Sequence, residues 1–187
     1  MCGIVGYVGK EQAAPFLLDG LSKLEYRGYD SSGIATFDGT KLVVEKCVGR
    51  LAALEEKIAG HIPQGHIGIG HTRWATHGRP ADNNAHPHTD GKGQFAIVHN
   101  GIIENYLPLK EALLKKGHEF KSETDTEVVA HLLADVYDGD FVAAVRTVLN
   151  TVEGSYSLVF LSKAHPDCLI CAKKDNPLVI GLGQGEN

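Results

Sequence analysis

Residues 122–161 run SETDTEVVAHLLADVYDGDFVAAVRTVLNTVEGSYSLVFL, and the fold class turns on them. Thr124-Asp-Thr-Glu127 has the spacing of a capping box, a hydroxyl three residues ahead of a carboxylate, as at a helix start. Val129, Leu132, Leu133 and Val136 follow at i, i+3, i+4 and i+7, one apolar helix face. Phe141, Val145, Val148, Leu149 and Val152 repeat the pattern after Asp138-Gly139-Asp140. Two helices so closely joined are expected to pair antiparallel. Residues 157–161 then read as a strand.

Outward from this pair, strands are expected at 3–9, 33–37, 42–47, 66–73, 94–99, 169–172 and 178–180, with Asp38-Gly39 as a hairpin signal. Leu17, Leu21 and Leu24 mark one helix, residues 51–58 a second that stops at Gly60, and residues 105–116 a third. In the third, Asn105 is the expected N-cap, Pro108 sits in the first turn and Gly117 is the stop. Strands in runs, with helices grouped between them, predict a layered α+β fold: two sheets face to face and helices outside. A doubly wound parallel fold would alternate strand and helix.

The 187 residues suit one domain. With 43% apolar and 22% charged residues the composition is globular, and 22 glycines, about 12% against a usual ~7%, predict many tight turns. A net charge of −5 offers no basic surplus for a phosphate backbone, so a nucleic-acid partner is not expected. No apolar run reaches membrane-spanning length and no signal peptide is legible, which predicts a cytoplasmic protein without a membrane partner. Leu178-Val-Ile-Gly-Leu runs into a glycine-rich turn and the end of the sequence, where a turn would lead to a partner strand. The sequence is therefore expected to be cut within a larger protein.

Four cysteines, Cys2, Cys47, Cys168 and Cys171, are expected as reduced thiols. Cys168-Leu-Ile-Cys171 is a lone CxxC without a second pair to complete a zinc site, and buried strand cysteines are the expectation. His86-Pro-His88 lacks a carboxylate or thiol at ligand spacing, so no metal is expected. Gly181-Leu-Gly183-Gln-Gly185 has the wrong spacing for a phosphate loop and reads as a turn.

Met1-Cys2-Gly3-Ile4-Val5-Gly6 carries the chemistry. A small second residue lets the initiator methionine be removed. Cys2 would then hold both a thiol and an α-amine whose ordinary pKa, near 7.7–8.0, makes it a base poised near neutrality. Four further segments accompany it: Leu24-Glu-Tyr-Arg-Gly-Tyr-Asp-Ser-Ser-Gly33, His71-Thr-Arg-Trp-Ala-Thr-His-Gly78, Val98-His-Asn-Gly101 and Ser122-Glu-Thr-Asp-Thr-Glu127. In this order, from Cys2 to the last residue, they resemble the class II glutamine amidotransferase domain, an N-terminal-nucleophile hydrolase. The likeness is greatest to the glutaminase half of the glucosamine-6-phosphate synthases.

The resemblance implies a four-layer αββα sandwich of two antiparallel sheets, no cofactor, and L-glutamine as substrate. It implies that Cys2 attacks the side-chain amide, leaving a thioester that water releases as glutamate. Asn100 and the Gly101 N–H would form the oxyanion hole, and Arg27-Gly28 would lie against the nucleophile. Arg73 would grip the α-carboxylate, as a planar guanidinium suits. Asp125 would pair with the α-ammonium, and Trp74, Thr76 and His77 would belong to a loop folding over glutamine. In whole enzymes of this family the ammonia passes to a sugar isomerase domain that makes glucosamine 6-phosphate from fructose 6-phosphate. That domain is not expected within these 187 residues, and the full-length enzyme is expected to be a homo-oligomer. The rival readings are another N-terminal-cysteine amide hydrolase and an inactive docking or regulatory module.

Overall fold

A computed structural model describes residues 2–75 and 78–187. Eight strands and five α-helices follow in the order β1 (Gly3–Val8), α1 (Ala13–Leu24), β2 (Ser31–Phe37), β3 (Leu42–Val48), α2 (Leu51–Ile58), β4 (Ile67–Arg73), β5 (His88–Thr89), β6 (Phe95–Ile103), α3 (Tyr106–Lys115), α4 (Glu127–Val136), α5 (Phe141–Thr151), β7 (Gly154–Ser162) and β8 (Leu169–Lys174). One sheet has the order β1-β4-β2-β3 and the other β5-β6-β7-β8, and all their pairings are antiparallel. No helix among the described residues is long and apolar enough to cross a membrane.

Three apolar clusters define the layers. Leu17 and Leu21 of α1 and Leu51, Leu54 and Ile58 of α2 cover the first sheet from outside. Val129 and Leu133 of α4 and Val145 and Val148 of α5 cover Phe95, Ile97, Leu158 and Phe160 of the second. Between the sheets lie Ala35, Ile67, Ile69, Ala96, Val98, Val159 and Leu161. The result is the expected four-layer αββα sandwich. Each fully buried Leu or Ile side chain contributes about 1.5–3 kcal/mol of transfer free energy, so the clusters bind the layers.

Several local expectations need correction. The Thr124–Glu127 capping box does not form. Helix α4 starts at Glu127 with no side-chain bond at its N-cap, and the Glu127 carboxylate turns back to accept from the Lys121 and Ser122 N–H groups and the Ser122 hydroxyl. A buried carboxylate gains more from three donors in the preceding loop than from one at the cap. Asn105 makes no side-chain cap for α3. Its amide bridges to the Thr151 carbonyl at 2.9 Å and the Glu153 N–H at 2.9 Å, tying α3 to the end of α5. The α5 start does carry a true cap, the Asp140 carboxylate accepting from the Ala143 N–H at 2.9 Å.

Residues 178–180 are not a strand, and Val179 is 90% exposed. A short apolar β-branched run has strand propensity, but a strand needs a paired edge to exist. Cys168 and Cys171 are exposed rather than buried: Cys168 precedes β8 and Cys171 lies on this edge strand. All four thiols are free.

Candidate active site

Strand periodicity brings the site together. On β4, Ile67 and Ile69 point between the sheets, so His71 and Arg73, at the next odd positions, continue along that face. On β6, Ala96 and Val98 point there too, which carries Asn100 with them. On β1, Ile4 and Val8 lie against the same layer, which places Cys2 on it as well. These strand ends meet where the inter-sheet layer opens. β1 and β4 pair with Gly3 opposite Thr72, which sets Cys2 beside the Arg73–Trp74 peptide. A cavity of about 410 Å³ lies there, lined by Cys2, Arg27, Arg73, Trp74, Asn100, Gly101 and Asp125 among others. Its size falls within the usual range for small-molecule sites, roughly 300–1,000 Å³.

The Trp74 N–H donates to the Cys2 sulfur at 3.1 Å. Burial is the dominant influence on this thiol and pushes its pKa up; the Trp74 N–H and the Arg73 charge oppose the rise, and Asp30 adds to it. Asp30 also clamps the segment, its carboxylate accepting from the Ala75 N–H at 2.8 Å and its own N–H donating to the Arg73 carbonyl at 3.0 Å. Gly28 packs against this same peptide. A Cβ there would lie 2.8 Å from the Arg73 carbonyl carbon and 2.9 Å from the Trp74 nitrogen. What Gly28 leaves room for is therefore the peptide that holds the sulfur.

Arg73 is 4% exposed, not a solvated surface arginine, and its guanidinium donates to the Gly78 carbonyl at 3.1 Å. Burial lowers its pKa, against the opposing pull of Cys2, Asp30 and Asp125. Asp125 is buried as well, and one carboxylate oxygen accepts from the Ile103 N–H at 2.8 Å. Trp74 is 46% exposed, so it is not a core residue, and it meets the Tyr29 ring edge-on at 5.6 Å. Thr76 and His77 lie outside the described residues.

Asn100 and Gly101 do not form a turn. They lie inside β6, which runs on to Ile103, with Gly101 opposite Tyr156. Gly101 has φ +130°, and a Cβ on it would fall 2.0 Å from the Ser155 carbonyl oxygen. The Asn100 amide nitrogen donates to the Cys2 carbonyl at 3.1 Å, which uses one of its two hydrogens and leaves the other for a ligand.

Buried histidines surround this region, and apart from the rejected His86–His88 metal pair none of them is marked by the linear pattern. His86 and His99 border the cavity, and His71 stacks on His86 with ring centroids 4.1 Å apart. His71 opens the His71–Gly78 motif, but nothing in the linear pattern marks which histidine points between the sheets. Asn176, from the segment after β8, also lines the cavity. No group of three or more metal-ligating side chains is gathered among the described residues.

Residues 71–186 match the family profile described as glutamine amidotransferase domain. The chain is 57% identical over its whole length to the glutamine–fructose-6-phosphate aminotransferase (isomerizing) of Caldanaerobacter subterraneus, 56% to that of Thermus thermophilus and 54% to that of Aquifex aeolicus. It spans only about 31% of the length of these relatives. Among solved structures, the glutamine phosphoribosylpyrophosphate amidotransferase of Bacillus subtilis superposes with a TM-score of 0.75 at 28% identity, over 87% of this chain and 35% of that one. The fold recurs at 16% identity in a class-II glutamine aminotransferase domain protein of Silicibacter pomeroyi, TM-score 0.63, over 96% of this chain and 79% of that one. A profile matched over more than half of the sequence, on a sandwich whose strand ends converge at Cys2, establishes that the chain belongs to the glutamine amidotransferase family.

Proposed function

We propose that this chain hydrolyses the side-chain amide of L-glutamine, with Cys2 as nucleophile and its own α-amine as base once Met1 is removed. The observation that carries the reading is that one cavity holds the Cys2 thiol, the buried Arg73 guanidinium and the buried Asp125 carboxylate. A free amino acid needs a cation for its carboxylate and an anion for its ammonium, and an ordinary amide substrate needs neither.

In this reading the Cys2 sulfur attacks the amide carbon and the carbonyl oxygen takes the negative charge. The remaining Asn100 amide hydrogen and the Gly101 N–H stabilise that oxyanion. The Cys2 ammonium protonates the departing nitrogen, ammonia leaves, and a γ-glutamyl thioester remains. The amine then takes a proton from water, which attacks the thioester and releases glutamate. Arg27 borders the nucleophile, and Trp74 belongs to the cover over bound glutamine. The ammonia is passed to a sugar-phosphate isomerising part that lies outside this chain, consistent with the names of its relatives.

The test is ammonia and glutamate release from glutamine, on protein whose mass shows Met1 removed. Turnover is expected in the processed protein and absent in Cys2→Ala. Persisting turnover in that variant would remove Cys2 from the chemistry.

A further inference from the structure

We propose that His71 is a positioning residue: in its neutral form, with the proton on Nε2, it sets which way the Asn100 side-chain amide faces. The inference rests on the glutaminase reading above. His71 Nε2 lies 3.1 Å from the His99 carbonyl oxygen and 2.9 Å from Asn100 Oδ1. A carbonyl oxygen can only accept, so Nε2 carries the hydrogen. The atom of Asn100 that meets it must then be the oxygen. At the other end of the same amide, Nδ2 faces the Cys2 carbonyl, which also only accepts. Two backbone carbonyls, one on each side, thus select one tautomer and one amide orientation, and neither choice is free without the other.

The ring is held for this task. His71 is buried on β4, stacked at 14° on His86. The His86 Nδ1 in turn accepts from the His99 N–H at 3.3 Å. Burial lowers the His71 pKa to about 3, so the ring stays uncharged at neutral pH. The consequence reaches the chemistry directly. With Nδ2 toward Cys2, Asn100 offers its second hydrogen to an oxyanion. Turned over, it would offer lone pairs to a negative charge, which removes a donor and adds a repulsion.

A glutamine side chain places its amide nitrogen near the position of Nε2, and asparagine places it near Nδ1. His71→Gln and His71→Asn therefore separate the donor from the bulk. In steady-state glutamine hydrolysis, His71→Asn is expected to lower kcat about 10²–10³-fold, as loss of an oxyanion donor does, with KM within about threefold. His71→Gln is expected to recover kcat to within about tenfold of the parent at a similar melting temperature. Unchanged kcat in a folded His71→Asn, or equal losses in the two variants, would overturn the proposal. The unsubstituted protein supplies a second arm that needs no variant to fold. Its ¹⁵N imidazole shifts should show His71 protonated at Nε2 only, from pH 8 down to pH 5. A Nδ1-protonated or doubly protonated ring would overturn the proposal. Absent turnover in the parent would sink the glutaminase reading, while the imidazole shifts still judge the tautomer.

Discussion

Arg73 is a residue whose surroundings decide its use. An arginine after an apolar strand is ambiguous until its burial is known. Here burial removes water from the guanidinium, so a bidentate partner gains more than it would at a surface. Arg73→Lys keeps the charge but loses the planar fork. It should raise KM for glutamine on the order of tenfold, about 1.4 kcal/mol, and change kcat less. An unchanged KM would mean that Arg73 does not hold the carboxylate. Gly28 makes a different case, because its role lies in what it does not carry. A methyl group there meets backbone, which cannot swing away as a side-chain tip can. Gly28→Ala should lengthen the Trp74 N–H contact to the Cys2 sulfur and raise the thiol pKa further. The check is the pH dependence of Cys2 alkylation, whose midpoint should move upward.

Helix starts show how far local pattern reaches. At α5 the Asp140 cap was available from chain-local geometry, and it forms. Asp140→Ala should cost about 1 kcal/mol and lower the melting temperature by about 2–4 °C, without touching activity. At α4 the same kind of signal failed, because Glu127 had a better offer from a loop that its sequence spacing does not reveal. Strand β6 fails in the other direction. Asn100-Gly101 is a turn dipeptide by preference, yet the register with β7 carries it through as strand, with Gly101 the residue that tolerates φ +130°.

Acid should weaken the molecule well above the range where carboxylates protonate. His71, His86 and His88 are buried, and burial holds all three pKa values far below 6.5, His71 at about 3. The unfolded chain takes up these protons as pH falls through 6.5, and the folded chain does not. The stabilisation is thus complete above pH 6.5 and declines below it, by up to about 1.4 kcal/mol per pH unit for each ring. Glu127, held at about 2 despite its burial by the His131 ring 3.6 Å away and by hydrogen bonds from Ser122 and the Lys121 N–H, adds a second loss only between about pH 4.5 and 2. Urea unfolding at pH 7.5, 6.5 and 5.5 should show the first decline. A flat profile across that interval would mean that the rings charge in the folded state.

What the chain carried in its linear order was periodicity and motif: the helix faces, most strands, the two-sheet layering, and the residues Cys2, Arg73, Asn100 and Asp125 as a set. The faces, strands and layering were legible because side-chain alternation and apolar spacing are local properties, readable within a few residues; the four site residues came together as a set only through the resemblance of five ordered motifs to a known family. Which loop Glu127 would cap, whether residues 178–180 would find an edge to pair with, and which way the Asn100 amide would face were decided only by folding. Glu127 finds its donors only five and six residues back, but no residue pattern marks the path of that loop. The other two depend on partners far along the chain, His71 for Asn100 above all, and a hydrogen bond between distant residues has no trace in sequence until two strands lie side by side.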